Sequence, residues 1–76
     1  MGEFSQISAK DLVKALEKMG YIYISQKGSH IKLRKLKPVR KTVIIPKHKF
    51  IRPGTLNNIL KAVEISKNQL EKLLKS

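Results

Sequence analysis

A single glycine, Gly28, does most to limit what this chain can fold into. On either side of it lie runs rich in β-branched and aromatic residues, Tyr21 to Gln26 and Ser29 to Leu36, the composition that suits a half-buried pleated surface. Lys27-Gly28 reads as a two-residue hairpin turn, although lysine is not a favoured first turn residue. That turn sets Gln26 opposite Ser29, Ser25 opposite His30, Ile24 opposite Ile31, Tyr23 opposite Lys32 and Ile22 opposite Leu33. Because side chains alternate along a strand, Ile22, Ile24, Ile31 and Leu33 then share one face. Tyr21, Tyr23, Ser25, His30, Lys32 and Arg34 share the other. The expectation is one apolar face and one basic, aromatic face.

The elements around the hairpin follow from their caps and periods. Ser8 caps a first helix, with Asp11 near the positive end of its dipole. Leu12, Val13, Leu16 and Met19 supply an apolar stripe, and Gly20 stands where a left-handed C-terminal cap is wanted. Lys37-Pro38-Val39-Arg40 forms a second turn, and Lys41 to Ile45 a third strand stopped by Pro46. A basic loop, Lys47 to Arg52, carries His48. A further helix starts with Gly54 or Thr55 at its N-cap and carries Leu56, Ile59, Leu60 and Val63 at core spacing. Ser66-Lys67-Asn68-Gln69 is a capping box for a last helix with Leu70, Leu73 and Leu74. Leucine stripes of this kind are core before they are anything else. The order predicts an α+β fold, a two-layer α-β-β-β-α(α) sandwich with a three-stranded antiparallel sheet covered on one face by helices.

At 76 residues the chain has room for one domain and none for a cofactor domain. Residues 7–76 read as that domain and residues 1–6 as an N-terminal extension. There are 17 Lys+Arg against 5 Asp+Glu, a net charge of +12, which favours phosphate backbones, acidic proteins or anionic membranes as partners. The absence of cysteine excludes disulfides and thiolate metal sites, and two histidines with few carboxylates argue against a protein-built metal site. No metal and no cofactor is expected. No secretory signal and no membrane-length apolar run is present, so the expectation is a soluble, cytoplasmic protein with no membrane partner.

Within this frame, chemistry converges on Gln26-Lys27-Gly28-Ser29-His30. Histidine is the side chain best suited to move protons near neutral pH. A lone strand histidine is ordinarily a solvent-facing bystander, but here Lys32 and Arg34 share its expected face. Gly28 permits close approach of a ligand backbone, and Ser29 can donate to a phosphate. Lys27 adds a further cation. His48, between Lys47 and Lys49, is a weaker candidate, either a plain loop residue or else a second acid/base group or a phosphate contact. Tyr21 and Tyr23 offer surfaces for stacking bases, or simple strand packing. These residues describe a small nucleic-acid-binding protein able to cut what it binds.

The order and spacing of five segments resemble the HicA family of toxins, the YcfA-like mRNA interferases. The segments are Ser8-Ala9-Lys10-Asp11-Leu12-Val13-Lys14-Ala15-Leu16, Gly20-Tyr21, Gln26-Lys27-Gly28-Ser29-His30, Pro46-Lys47-His48 and Gly54-Thr55-Leu56-Asn57-Asn58-Ile59-Leu60. The resemblance covers nearly the whole chain from about Ile7 onward. It implies a fold like that of double-stranded-RNA-binding domains. It also implies the toxin of a type II toxin–antitoxin system that cleaves mRNA, and a HicB antitoxin that blocks the histidine. The family's essential histidine corresponds to His30, and a family histidine also falls at His48. One departure is Lys37-Pro38-Val39-Arg40, where the family often carries an Asp-Gly type of turn.

The resulting expectation is a metal-independent endoribonuclease in which His30 is catalytic and Lys27, Gly28, Ser29, Lys32, Arg34 and His48 contact RNA. The competing reading is a non-catalytic double-stranded RNA-binding module, and a third is a module that binds only an acidic protein. Incubation with RNA in EDTA separates the first two, because a binder leaves the RNA whole.

Overall fold

The computed structural model describes residues 7–75; the N-terminal extension at residues 1–6 lies outside the described residues. The elements are α1 (Ala9–Lys18), β1 (Ile22–Lys27), β2 (His30–Lys35), β3 (Lys41–Pro46), α2 (Pro53–Val63) and α3 (Lys67–Lys75). The strands form one antiparallel sheet in the order β1-β2-β3. This is the α+β sandwich expected from the order of elements.

Helix α1 forms where its caps dictate. Ser8 Oγ accepts the Asp11 N–H at 3.1 Å, and Ala9, Leu12, Ala15 and Leu16 are buried. At its C-terminus Gly20 takes φ +104°. The Gly20 N–H donates to Glu17 O at 3.0 Å and the Tyr21 N–H to Leu16 O at 3.1 Å. This paired closure satisfies carbonyls that the last turn leaves orphaned. It also drives Tyr21 into the core, where it is 2% exposed.

The sheet corrects the expected hairpin. The turn is Gly28-Ser29, not Lys27-Gly28, and Lys27 pairs with His30. Gly28 has φ +60° and Ser29 is not among the positive-φ residues, as a turn with glycine in its first central position requires. Farther along, Gln26 faces Ile31 and Ser25 faces Lys32. A bulge between Tyr23 and Ser25 then sets Tyr23 opposite Leu33 and Ile22 opposite Arg34. The extra residue inverts the alternation. Ile22 and Ile24, expected in the core, are exposed, and every residue of β1 is exposed. Tyr21 and Tyr23, expected on the open face, leave it. Tyr21 enters the core, and Tyr23 pairs with the buried Leu33 on the helix-covered side. The apolar face is built instead by β2 and β3, through the opposed pairs Ile31 with Ile45 and Leu33 with Val43.

All three helices add to that one core, α2 against β3 and α3 against α1. Helix α2 starts earlier than expected: Arg52 is the N-cap and Pro53 opens the helix, with no side-chain cap. Proline is pre-set for that position and has no N–H to leave unpaired. Leu56, Ile59, Leu60 and Val63 are buried as their spacing predicts. The helix ends at Glu64, which holds φ 61° and pairs through its carboxylate with Lys41 of β3. Helix α3 opens with the expected capping box. Ser66 N–H donates to Gln69 Oε1 at 2.8 Å and Gln69 N–H to Ser66 Oγ at 3.1 Å. Leu70 is fully buried, and Lys18 Nζ of α1 donates to Leu73 O at 2.7 Å.

The loop after β3 is stitched on both sides. Lys47 N–H donates to Ser29 O at 2.6 Å, Ala9 N–H to His48 O at 3.0 Å, and Ile51 N–H to Ile7 O at 2.8 Å. Ile51, apolar among basic residues in sequence, is fully buried. These contacts fix where His48 sits relative to the hairpin and to the start of α1.

Candidate active site and nucleic-acid interface

His30 is the first residue of β2 and follows the Gly28-Ser29 turn directly. Since Ile31 and Leu33 point into the core, alternation places His30, Lys32 and Arg34 on the opposite, open face. His30 itself is exposed. Across the sheet it lies between Lys27 of β1 and Pro46 of β3. A depression of about 290 Å³ is lined by Ser25, Lys27, His30, Lys32 and Ile44. Neither Lys27 nor Lys32 is in a salt bridge among the described residues. The described carboxylates, Asp11, Glu17, Glu64 and Glu71, line no part of the depression.

The other expected site residues separate by distance. Lys32 lies two residues along β2 from His30, about 7 Å, and Arg34 four residues along, about 13 Å. Lys32 shares the depression; Arg34 does not, and its Nε–H donates to Thr42 Oγ1 at 3.1 Å. Gly28 is open, with nothing within 4 Å of where a Cβ would stand. Its carbonyl accepts Gln26 Nε2–H at 3.1 Å. Ser29 sits in the turn rather than at the strand start, beside His30.

The structure does not bring His48 into the His30 depression. It lines a separate groove of about 580 Å³ on the helix-covered side, whose walls include Val13, Tyr23, Ile31 and His48. Sequence reasoning placed Tyr23 beside His30 and so missed this groove. Placing the turn at Gly28-Ser29 would still leave Tyr23 on the open face, opposite Arg34; only the bulge between Tyr23 and Ser25 moves it, and no residue of that segment marks the bulge.

Two groups titrate away from their ordinary values, both remote from His30. Burial raises the Tyr21 phenol, partly offset by Lys41, and the hydrogen bond and charge of Lys41 lower the Glu64 carboxyl. No cluster of three or more His, Cys, Asp or Glu residues able to hold a metal occurs among the described residues. No described helix is long and apolar enough to cross a membrane.

A three-stranded antiparallel sheet with helices on one face and a cationic, histidine-bearing opposite face is the architecture expected of the family resembled in sequence. Residues 9–65 match the family described as HicA toxin of bacterial toxin-antitoxin. The match runs from the start of α1 past the end of α2 and includes both histidines, so the chain belongs to the HicA toxin family. Membership places it on the toxin side of a toxin–antitoxin pair, with an antitoxin as partner. Searches of curated proteins and of solved structures gave no match.

Proposed function

We propose that this toxin is a cytoplasmic, metal-independent mRNA endoribonuclease, acting as a single domain over residues 7–76, with His30 as the catalytic group. The observation that carries the proposal is the position of His30, exposed on the open sheet face between Lys27 and Lys32. In this reading His30 moves the proton, as base toward the 2′-hydroxyl or as acid toward the 5′-oxygen. The 2′-oxygen bonds to the adjacent phosphorus, the bond from phosphorus to the 5′-oxygen breaks, and the leaving oxygen takes up a proton. The products are a 2′,3′-cyclic phosphate and a free 5′-hydroxyl. One such proton transfer contributes about 10²–10⁴-fold. Lys27 and Lys32 stabilise charge that develops on the phosphoryl oxygens. Gly28 and Ser29 let the RNA backbone approach, and Arg34 holds a neighbouring phosphate.

The antitoxin is proposed to be of the HicB type and to lay acidic groups over the same depression, neutralising Lys27 and Lys32 while covering His30. His30→Ala is expected to abolish RNA cleavage in EDTA and growth arrest on expression, while leaving RNA affinity within about threefold. Cleavage by His30→Ala at the parent rate would remove His30 from the mechanism. Products with a 5′-phosphate and a free 3′-hydroxyl would remove the 2′-hydroxyl route. RNA left whole by the parent protein would favour the non-catalytic RNA-binding reading.

A further inference from the structure

The groove on the helix-covered side has a composition that the His30 chemistry does not use. Its lining is mostly apolar and includes Val13 and Ile31 together with two flat rings, Tyr23 and His48. Lys10, Lys14, Lys47 and Lys49 surround it, and none of the four is in a salt bridge among the described residues. Tyr23 is 50% exposed, so a ligand can reach it. Its hydroxyl donates to Gln26 Oε1 at 3.4 Å, and Gln26 in turn donates to Gly28 O. This chain of contacts ties the ring to the turn that presents His30. The groove is also continuous with the His30 face through the backbone. Pro46 is the register partner of His30, and the next residue, Lys47, is both a wall of the groove and the donor to Ser29 O.

An apolar slot with aromatic walls and a cationic rim fits a single-stranded nucleic acid better than a duplex. Bases present their flat faces only when unpaired, and every base can stack on an aromatic ring while lysines follow the backbone. An acidic peptide would satisfy the lysines but makes no particular use of the Tyr23 and His48 rings. We propose that this groove is a second RNA subsite. It takes an unpaired base of the strand that crosses the His30 face, stacked on Tyr23, with flanking phosphates held by Lys47 and Lys49 on one side and Lys10 and Lys14 on the other. The strand passes from one face to the other around the Gly28-Ser29 turn. The proposal rests on the RNA-cleaving reading of His30, because it concerns the path of the same strand.

The test uses the full chain and a short 2′-O-methyl oligouridylate, which lacks the free 2′-hydroxyl and cannot be cut by the proposed route. Stacking is worth about 1–3 kcal/mol per base, so Tyr23→Ala is expected to weaken binding by roughly 5- to 150-fold. Tyr23→Phe is expected to bind within about threefold of the parent. The chain has two tyrosines and no tryptophan, and Tyr21 is buried, so quenching of tyrosine emission reports Tyr23. The parent is expected to be quenched by the oligonucleotide, and Tyr23→Phe to bind without quenching. The Lys47→Ala, Lys49→Ala double variant is expected to lower the slope of log affinity against log salt by about 1.4, at about 0.7 per phosphate contact on a single strand. Both substituted lysines are exposed loop residues, so this readout does not depend on β1.

Binding of Tyr23→Ala at parent affinity, with an unquenched parent, overturns the proposal. So does a Tyr23→Ala variant that keeps its oligonucleotide affinity but loses its antitoxin, which would make the groove a protein contact. If unmodified RNA is never cut while oligonucleotide affinity still depends on Tyr23, the groove stands and the nuclease reading falls. If RNA is cut and Tyr23 is indifferent, the groove alone falls.

Discussion

His30 is exposed because of its position in the alternation of β2. Its neighbour Ile31 is 7% exposed and fixes the inward direction, so His30, Lys32 and Arg34 must face outward. That much was legible in the sequence, since the isoleucine, leucine and cation alternation of β2 needs no knowledge of its partners. The turn was less legible. Both Lys27-Gly28 and Gly28-Ser29 place a glycine in a two-residue connection, and only the backbone angle at the first position separates them. Gly28→Ala tests this residue. Open space surrounds the missing side chain, so the cost is conformational alone, about 1–2 kcal/mol for an L-residue held at positive φ. The expected result is a melting temperature lower by roughly 5–15 °C, read by circular dichroism, with reduced cleavage because the turn also aims His30. An unchanged melting temperature would show that the turn does not require its left-handed residue.

At the scale of elements, α1 and α3 are legible in the sequence because period and caps agree. Ser8 caps one-sidedly through the Asp11 N–H and Ser66 reciprocally with Gln69, and each starts an apolar stripe that reaches the core, through Leu12 and Leu16 in α1 and Leu70 in α3. Strand β1 was misread because one inserted residue reverses the face of everything before it, and nothing in Tyr21-Ile22-Tyr23-Ile24 marks where the insertion falls. The start of α2 was misplaced because Pro53 makes a side-chain cap unnecessary. The pair between Lys41 and Glu64 joins β3 to the end of α2. Lys41 lowers the Glu64 carboxyl from its ordinary 4.5, so the folded state holds that proton less tightly than the unfolded chain. The stabilisation is therefore present above about pH 4.5 and fades as the pH falls through the lowered value. Glu64→Gln is expected to flatten the acid side of a melting-temperature profile by lowering the neutral plateau slightly, with variant and parent converging below the lowered titration of Glu64. Tyr21 works in the opposite range. Burial raises its phenol above 10.0, so its contribution is complete below pH 10.0 and is lost as the pH rises through the raised value. Tyr21→Phe is expected to flatten the alkaline side. Helix α3 lies beyond the residues matched by the family yet packs on α1 through Leu70. Leu70→Ala is expected to cost about 2–5 kcal/mol, measured by chemical denaturation. A smaller loss would mean that α3 is dispensable to the core.

For the whole molecule, the net charge of +12 acts in two directions at once. Like charges on a compact body repel one another and weaken the fold, while the same charges attract a polyphosphate strand. Raising the salt from about 50 to about 200 mM is expected to increase the melting temperature and, over the same range, to weaken RNA binding steeply. Thermal shift and fluorescence anisotropy on one sample distinguish the two signs. If both quantities fall together, charge repulsion is not a significant cost in this fold. The composition announced a polyanion partner, but not the division of cations between the two faces of the sheet. That division depends on the β1 bulge and on the loop from Lys47 to Arg52, neither of which has a periodic signature.

The stitching of that loop bears on how the protein is best handled at the bench. Ile7 is buried, its carbonyl holds the Ile51 amide, and two residues later Ala9 holds His48. Trimming the chain through Ile7, or fusing an affinity handle directly against it, removes or strains the backbone contacts that hold the lysine-bearing loop, so such a preparation misreports what that loop does. A handle placed after α3 leaves those amide contacts alone.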